Sequence, residues 1–312
     1  MAEEKQAEVR FNNASDFNTG LALLIKDYCE PYNALRDALT NVRLAGTVDR
    51  ATMGQDIPQW PYETCFVSME PVVGLYNMMY ERGVFDNIPA DMEDSQLMEF
   101  VQAPSILAGC FAWEKVHSII NIAKHDFENS LLDIPSATLA QLPQWAVCIN
   151  GADLDLTWDD KKVIGVIFYR YFFAASQEHP GNSLGNNEAP ATINNINSLV
   201  IFADGSIELG PFISMESDKS INEQIDAIAC MMKEQSNLVE DSGNKDIPAL
   251  IAQSSERSRA IFSYLVYFLQ HQGSLKNGKG ESTKLKANPE PKKVKHGYRI
   301  FSESNNIVMF LD

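Results

Sequence analysis

QWAVCIN, residues 144–150, and VIGVIFYRYFF, residues 163–173, mark where the chain changes period. In the first, Trp145, Val147 and Ile149 alternate with smaller or polar residues, the two-residue repeat of a strand. The second is apolar on both faces, which suits a strand buried between two layers. Downstream, residues 198–213 (SLVIFADGSIELGPFI) read as two further strands joined around Asp204-Gly205.

Outward from these strands the period becomes helical. Residues 218–235 (DKSINEQIDAIACMMKEQ) open with a capping box, Ser220 to Glu223, and carry Ile221, Ile225, Ile228 and Met232 at helical spacing. Residues 246–272 form one more long helix, with Pro248 near its start. On the N-terminal side, Leu21, Leu24, Ile25 and Tyr28 line one stripe behind Ser15 or Asp16 as N-cap. A second helix starts at Pro31 and stops near Gly46. Residues 104–132 read as a longer helix or a broken pair, and the Pro-containing run 56–67 takes no assignment. The order is helices, then a mostly antiparallel sheet, then helices, which is α+β. Residues 1–135 form the helical region, 136–271 the α+β core, 272–296 a basic mobile linker, and 297–312 a strand-like segment docking on the core.

Composition narrows the function classes. The chain has 312 residues and a formal net charge of −17, with 45% hydrophobic residues, values of a globular protein. The first residues carry no apolar core of a secretory signal, and no uncharged apolar run approaches the ~18–20 residues that span a bilayer. The five cysteines are scattered without a CxxC pair, as expected of reduced thiols. Together these point to a cytoplasmic protein without a membrane partner.

Charge is unevenly distributed. From Gln272 to Arg299 seven Lys and one Arg face two Glu, a net of +6, so the remainder carries −23. Lys292, Lys293, Lys295 and Arg299 are therefore candidate contacts to RNA or to the ribosome surface, with Tyr298 among them placed to stack on a base. A charge run can equally be a solvated linker.

Three patterns invite enzymatic readings. GNSLG, residues 181–185, matches a nucleophile elbow, but Ser183 lies in a polar run without the strand–turn–helix that the chemistry requires. On a continuous helix, Glu114, His117, Asn121, His125 and Glu128 fall within about 80° of arc. A carboxylate-bridged metal site would need a second Glu-x-x-His, and the chain has none, so a solvated polar stripe is expected. Asp153, Asp155, Asp159 and Asp160 sit in NGADLDLTWDDKK, where neither the glycine nor the glutamate of a calcium loop falls in register, so a charged turn is expected. No dinucleotide or phosphate loop is present. No cofactor and no catalytic residue are assigned.

Residues 139–173, 197–228, 258–272 and 292–301 together resemble a known family. The shared order is a Leu-Pro-x-Trp strand, a strand after an Asp-Asp turn, a FADG hairpin leading to a helix, an aromatic-rich helix and a basic KxxKxGxRxF element. This order is similar to that of the second family of type V-A anti-CRISPR proteins (Acr VA-two-like), from about Ala137 to Phe301. The resemblance implies an inhibitor, carried by phages or plasmids, that recognises the nascent N-terminal peptide of a type V-A effector nuclease. It lowers the nuclease's production by loss of the translated message. On that implication Trp145, Trp158, Tyr169 and Tyr171 are candidate peptide-groove aromatics, each also a candidate for the core. The basic element would help hold the protein on ribosomal or messenger RNA. Two other classes stay open: a metal-dependent RNA nuclease using Asp153, Asp155 and Asp159, and an RNA- or DNA-binding adaptor that presents the basic arm.

Overall fold

The computed structural model describes residues 10–40, 69–84, 94–124, 127–154, 156–158, 161–174, 192–238, 247–289, 292–294, 297–299, 301 and 305–311. The first helix, α1 (Ala14–Cys29), begins where the Asn13 side chain accepts the Asp16 amide at 3.0 Å. That side chain, rather than Ser15 or Asp16, caps the open amides. Phe17, Leu21, Leu24, Ile25 and Cys29 then fall on the buried stripe. A short 3-10 turn (Glu30–Tyr32) carrying Pro31 leads into α2 (Asn33–Thr40). Helices α3 (Met69–Glu81) and α4 (Asp94–Val116) complete the N-terminal group.

Where the sequence suggested continued helix, the chain turns into a strand. His117 has φ 53°, a left-handed conformation uncommon for a residue with a side chain. Three contacts hold it there. Its amide donates to the Trp113 carbonyl at 2.8 Å, its ring stacks on Trp113 at 4.9 Å, and Trp113 Nε1 donates to the Ser118 carbonyl at 3.0 Å. Strand β1 (Ser118–Ile122) follows. The helical stripe through Glu114, His117, Asn121, His125 and Glu128 therefore does not exist, since Asn121 sits in a strand; His125 lies outside the described residues. The reason is tertiary. Ile119, Ile120 and Ile122 are β-branched and buried between two layers, which outweighs the local helical period.

The remaining strands are β2 (Ala146–Asn150), β3 (Thr157–Trp158), β4 (Lys161–Ala174), β5 (Thr192–Phe202), β6 (Ile207–Ser214), β7 (Lys292–Val294), β8 (Gly297–Arg299) and β9 (Ile307–Leu311). The helices α5 (Ile221–Leu238) and α6 (Ile247–His271) lie between β6 and β7 in sequence. The main sheet runs β6-β5-β4-β2-β1-β9, with β3 added to β4. Pairing is antiparallel from β6 through β2 and parallel for β2–β1 and β1–β9. The architecture is α+β with a mixed sheet. The β5–β6 turn is built as its sequence suggests: Gly205 has φ 86°, and Asp204 accepts the Ser206 amide and hydroxyl.

Period two along the strands sorts side chains into two cores. Ala146, Cys148, Ile164, Ile167 and Tyr169 face α1–α4, whereas Val147, Ile149, Val163, Val166 and Phe168 face α5 and α6. Trp145 joins the first set, not the face shared by Val147 and Ile149. Helix α5 opens with the expected capping box: the Glu223 amide donates to Ser220 Oγ at 3.1 Å and the Ser220 amide to Glu223 Oε2 at 2.7 Å.

Two glycines allow the N-terminal helices to lie close. A Cβ at Gly165 would stand 2.2 Å from the Phe17 ring, and one at Gly109 would stand 2.7 Å from Leu199. Gly165→Ala must push α1 off the sheet, and a loss of about 1–3 kcal/mol is expected, read as a lower denaturation midpoint in urea.

The segment expected as mobile linker is strapped to the body as far as Asn288. Leu275 is buried, Lys276 and Phe310 exchange two backbone hydrogen bonds of 2.9 Å, and Gln144 Nε2 donates to the Lys286 carbonyl at 2.7 Å. The Trp145 amide donates to Asn288 Oδ1 at 2.9 Å. Each of these bonds uses at least one main-chain group and a partner distant in sequence, so composition carries no sign of the anchoring. Among the described residues no helix is long and apolar enough to cross a membrane.

Candidate functional site

At the β6 end of the sheet the C-terminal helices leave an apolar groove. Leu209–Phe212 of β6 form one wall and Ile225, Ile228, Ala229 and Met232 of α5 the floor. Ser254, Ser255 and Ser258 of α6 and Trp158 of β3 complete the lining. The serines present little polarity, because Ser255 and Ser258 hydroxyls donate back to the carbonyls of Ile251 and Ser254 at 3.0 and 2.8 Å. The groove is open on one side and its volume is about 190 Å³. That is below the ~300–1,000 Å³ usual for a small-molecule or cofactor pocket and suits one or two side chains of a partner.

The rim is unusually apolar for a surface. Phe212 is 49% exposed, Met232 41%, and Met231 and Leu250 on the same two helices 51% and 55%. An exposed apolar patch is an ordinary signature of an interaction site, and adjacent methionines adapt to varied partners. Among the described residues β6 is also the last strand in the order, an edge to which an extended segment can add. Pro211 interrupts that edge, and its carbonyl accepts Ser198 Oγ at 2.6 Å. The surrounding sequence, residues 204–234, holds seven acidic residues and two lysines. Some are neutralised locally: Lys161 pairs with Glu208 at 2.8 Å, and Arg259 pairs with Asp226.

The four candidate aromatics do not share one groove. Trp145 and Tyr169 are buried among the N-terminal helices, where the Tyr169 hydroxyl donates to the Ser105 carbonyl at 2.9 Å. Burial pushes that phenol's pKa up. Both rings are closed to a surface ligand. Tyr171 is half-buried on the same face. Trp158 is half-buried on the opposite face, with the Arg257 guanidinium 6.0 Å from its ring centre, and is the one that reaches the groove. Phe212 and Met232 were not singled out as a site. Their signal is faint: the apolar stripe of α5 is one residue too wide at Met231-Met232 for a helix buried on a single face.

Of the acidic turn, Asp153 is exposed, and Asp155, Asp159 and Asp160 lie outside the described residues, as does Ser183. Among the described residues no three His, Cys, Asp or Glu side chains come together as a metal site. Lys292, Lys293 and Arg299 fall in the two-stranded ribbon β7–β8, which is separate from the main sheet; Lys295 lies outside the described residues.

Cys29, Cys110 and Cys148 are buried, whereas Cys230 on α5 is exposed. Burial raises the pKa of the Cys110 and Cys148 thiols, which keeps them protonated and slow to react. Among these four, brief alkylation of the native protein followed by peptide mass mapping is expected to mark Cys230 first. The buried three should be marked only after unfolding.

No protein-family model matches the chain, and no curated protein matches it in sequence. Among solved structures, the crystal structure of AcrVA2 superimposes with a TM-score of 0.54 at 12% identity, over 92% of this chain and 82% of that one. The two share a fold.

Proposed function

We propose that this chain is an anti-CRISPR inhibitor that works by gripping a peptide. The peptide is the nascent N-terminal segment of a type V-A effector nuclease, and its capture in the bacterial cytoplasm lowers the nuclease's production through loss of the message. The observation that carries this reading is the apolar groove beside β6, lined by Trp158 and by the exposed Phe212 and Met232. The fold shared with AcrVA2 supports the inhibitory class. Binding works in two parts. The edge of β6 offers backbone groups to an extended segment, and the groove takes one or two of its apolar side chains. Such an interaction needs no group that breaks a covalent bond.

The test is a reporter fused in frame behind the effector's N-terminal codons and expressed with and without this protein. Reporter protein and message should fall only for the fusion, and should fall equally when the codons are recoded synonymously. Escape of the recoded message would overturn peptide reading. Equal loss of an unfused reporter would overturn the selectivity.

A further inference from the structure

We propose that Gln224 ends the open edge of β6 at Ser214, and that the peptide taken by this edge is a short, extended, cationic segment held by the main-chain groups of Leu209 and Phe212. The inference rests on the peptide-capture reading and names the class of segment and its register.

Hydrogen bonding along an antiparallel pair alternates, so every second residue of an edge strand turns both its N–H and its C=O away from the sheet. Two bonds fix the phase for β6. The Phe202 amide donates to the Ser206 carbonyl at 3.0 Å, and the Met215 amide donates to the Asn194 carbonyl at 2.8 Å. From Ser206 onward the alternation sets Ile207 and Leu209 outward. From Met215 backward it sets Ser214 and Phe212 outward, and the irregularity between Asn197 and Leu199 takes up the odd residue.

At Ser214 the outward pair is already engaged. Gln224 of α5, only 8% exposed, accepts the Ser214 amide on Oε1 at 3.0 Å and donates from Nε2 to the Ser214 carbonyl at 2.9 Å. These are the two bonds that one residue of an added strand would make. The edge therefore accepts an amide group in this geometry, and a segment adding to it stops short of Ser214. Among the described residues no strand pairs with the outward groups of Ile207, Leu209 and Phe212. That stretch extends about 17 Å, room for roughly five residues of a partner. Alternate residues of such a segment fall on the α5–α6 face, where Ile225, Ile228 and Met232 line the groove, so they are apolar.

Charge selects among extended segments. Between Ser214 and Asp226 stand Glu216, Asp218, Glu223 and Asp226 against Lys219 alone. Glu216 and Asp218 are exposed just past the engaged end. A cationic group there is attracted and an acidic one repelled. A second copy of this chain, with its net charge of −17, is the less favoured occupant.

The experiment titrates the full chain with a synthetic peptide of the effector's N-terminal residues, unmodified or N-methylated at one amide at a time, and follows protein amide exchange residue by residue by NMR. N-methylation at alternate amides should lower affinity at least about tenfold, the scale of losing one backbone hydrogen bond, and at the amides between them less than about threefold. With peptide bound, Leu209 and Phe212 amides should exchange at least about tenfold more slowly, while Ser214 is slow in both states. Gln224→Ala should make Ser214 fast in the free protein and add one more position sensitive to N-methylation. Exchange on the parent chain decides the register even where that variant is less stable. Glu216→Lys with Asp218→Lys should weaken binding at least about threefold in about 50 mM KCl and leave it unchanged in about 1 M KCl. Binding without alternation in the scan, or without slowed exchange at Leu209 and Phe212, overturns the register and leaves peptide capture standing. Unchanged affinity after the charge reversal at low salt overturns the cationic class. Slowed exchange at Leu209 and Phe212 that grows with protein concentration in the absence of peptide gives the edge to a second copy and overturns the proposal. No binding of the unmodified peptide overturns the proposal and the capture reading together.

Discussion

Trp145→Ala is expected to destabilise the protein by about 3–5 kcal/mol and to lower its melting temperature by roughly 5–8 °C. The ring is 2% exposed and packs among the N-terminal helices, so truncation leaves a large void that rigid neighbours fill only partly. The same residue also ties two segments together through its backbone, donating to Asn288 Oδ1 and accepting from the Arg170 amide at 3.0 Å. Those backbone bonds survive the substitution, so the loss isolates the packing of the ring. Thermal or urea denaturation checks it. Loss of inhibition in this variant would track loss of folded protein rather than loss of a contact. A melting temperature within a degree or two of the parent would show that the ring is not in the core.

The groove variants behave in the opposite way. Phe212→Asp and Met232→Asp place a charge on side chains that are already about half exposed, so stability should change by less than about 1 kcal/mol. Inhibition of the fused reporter should nevertheless fall by more than about thirtyfold in the dose required, the scale of losing an interface anchor worth about 2 kcal/mol. Trp158→Ala should act in the same direction. Its ring lines the groove and lies under the Arg257 guanidinium, so the variant also loses a modest cation–π contact. Dose–response of reporter expression, alongside melting temperature for each variant, separates the two kinds of effect. Unimpaired inhibition by Phe212→Asp would remove the groove from the mechanism.

Local signals made much of the fold legible. The buried β4 strand, the Asp204-Gly205 hairpin and the Ser220–Glu223 capping box each depend on residues close in sequence, and each stands where its residues suggest. The misreadings fall where distant segments decide. β1 follows a helix without a break in hydrophobicity, and its partners lie at residues 146–150 and 307–311, too far away for any periodicity to register. The helix cap is Asn13, two or three positions before Ser15 and Asp16; all three residue types are equally good cap formers. The strap reads as linker because lysine, glycine and serine dominate it, yet it is held by the backbone pair Lys276–Phe310, by Gln144 and Asn288, and by the buried Leu275. Among the site aromatics, residue type could not separate Trp145 from Trp158. Only the sheet's alternation and the gap between α5 and α6 send one inward and bring the other to a surface.

Direct titration of the purified protein with a synthetic peptide of the effector's N-terminal residues, followed by calorimetry, tests peptide capture most closely. Saturable binding at micromolar concentration or tighter is expected, weakened at least about thirtyfold by Phe212→Asp and left unchanged by Lys292→Glu with Arg299→Glu. No heat of binding to the parent protein, or equal affinity for parent and Phe212→Asp, would contradict it.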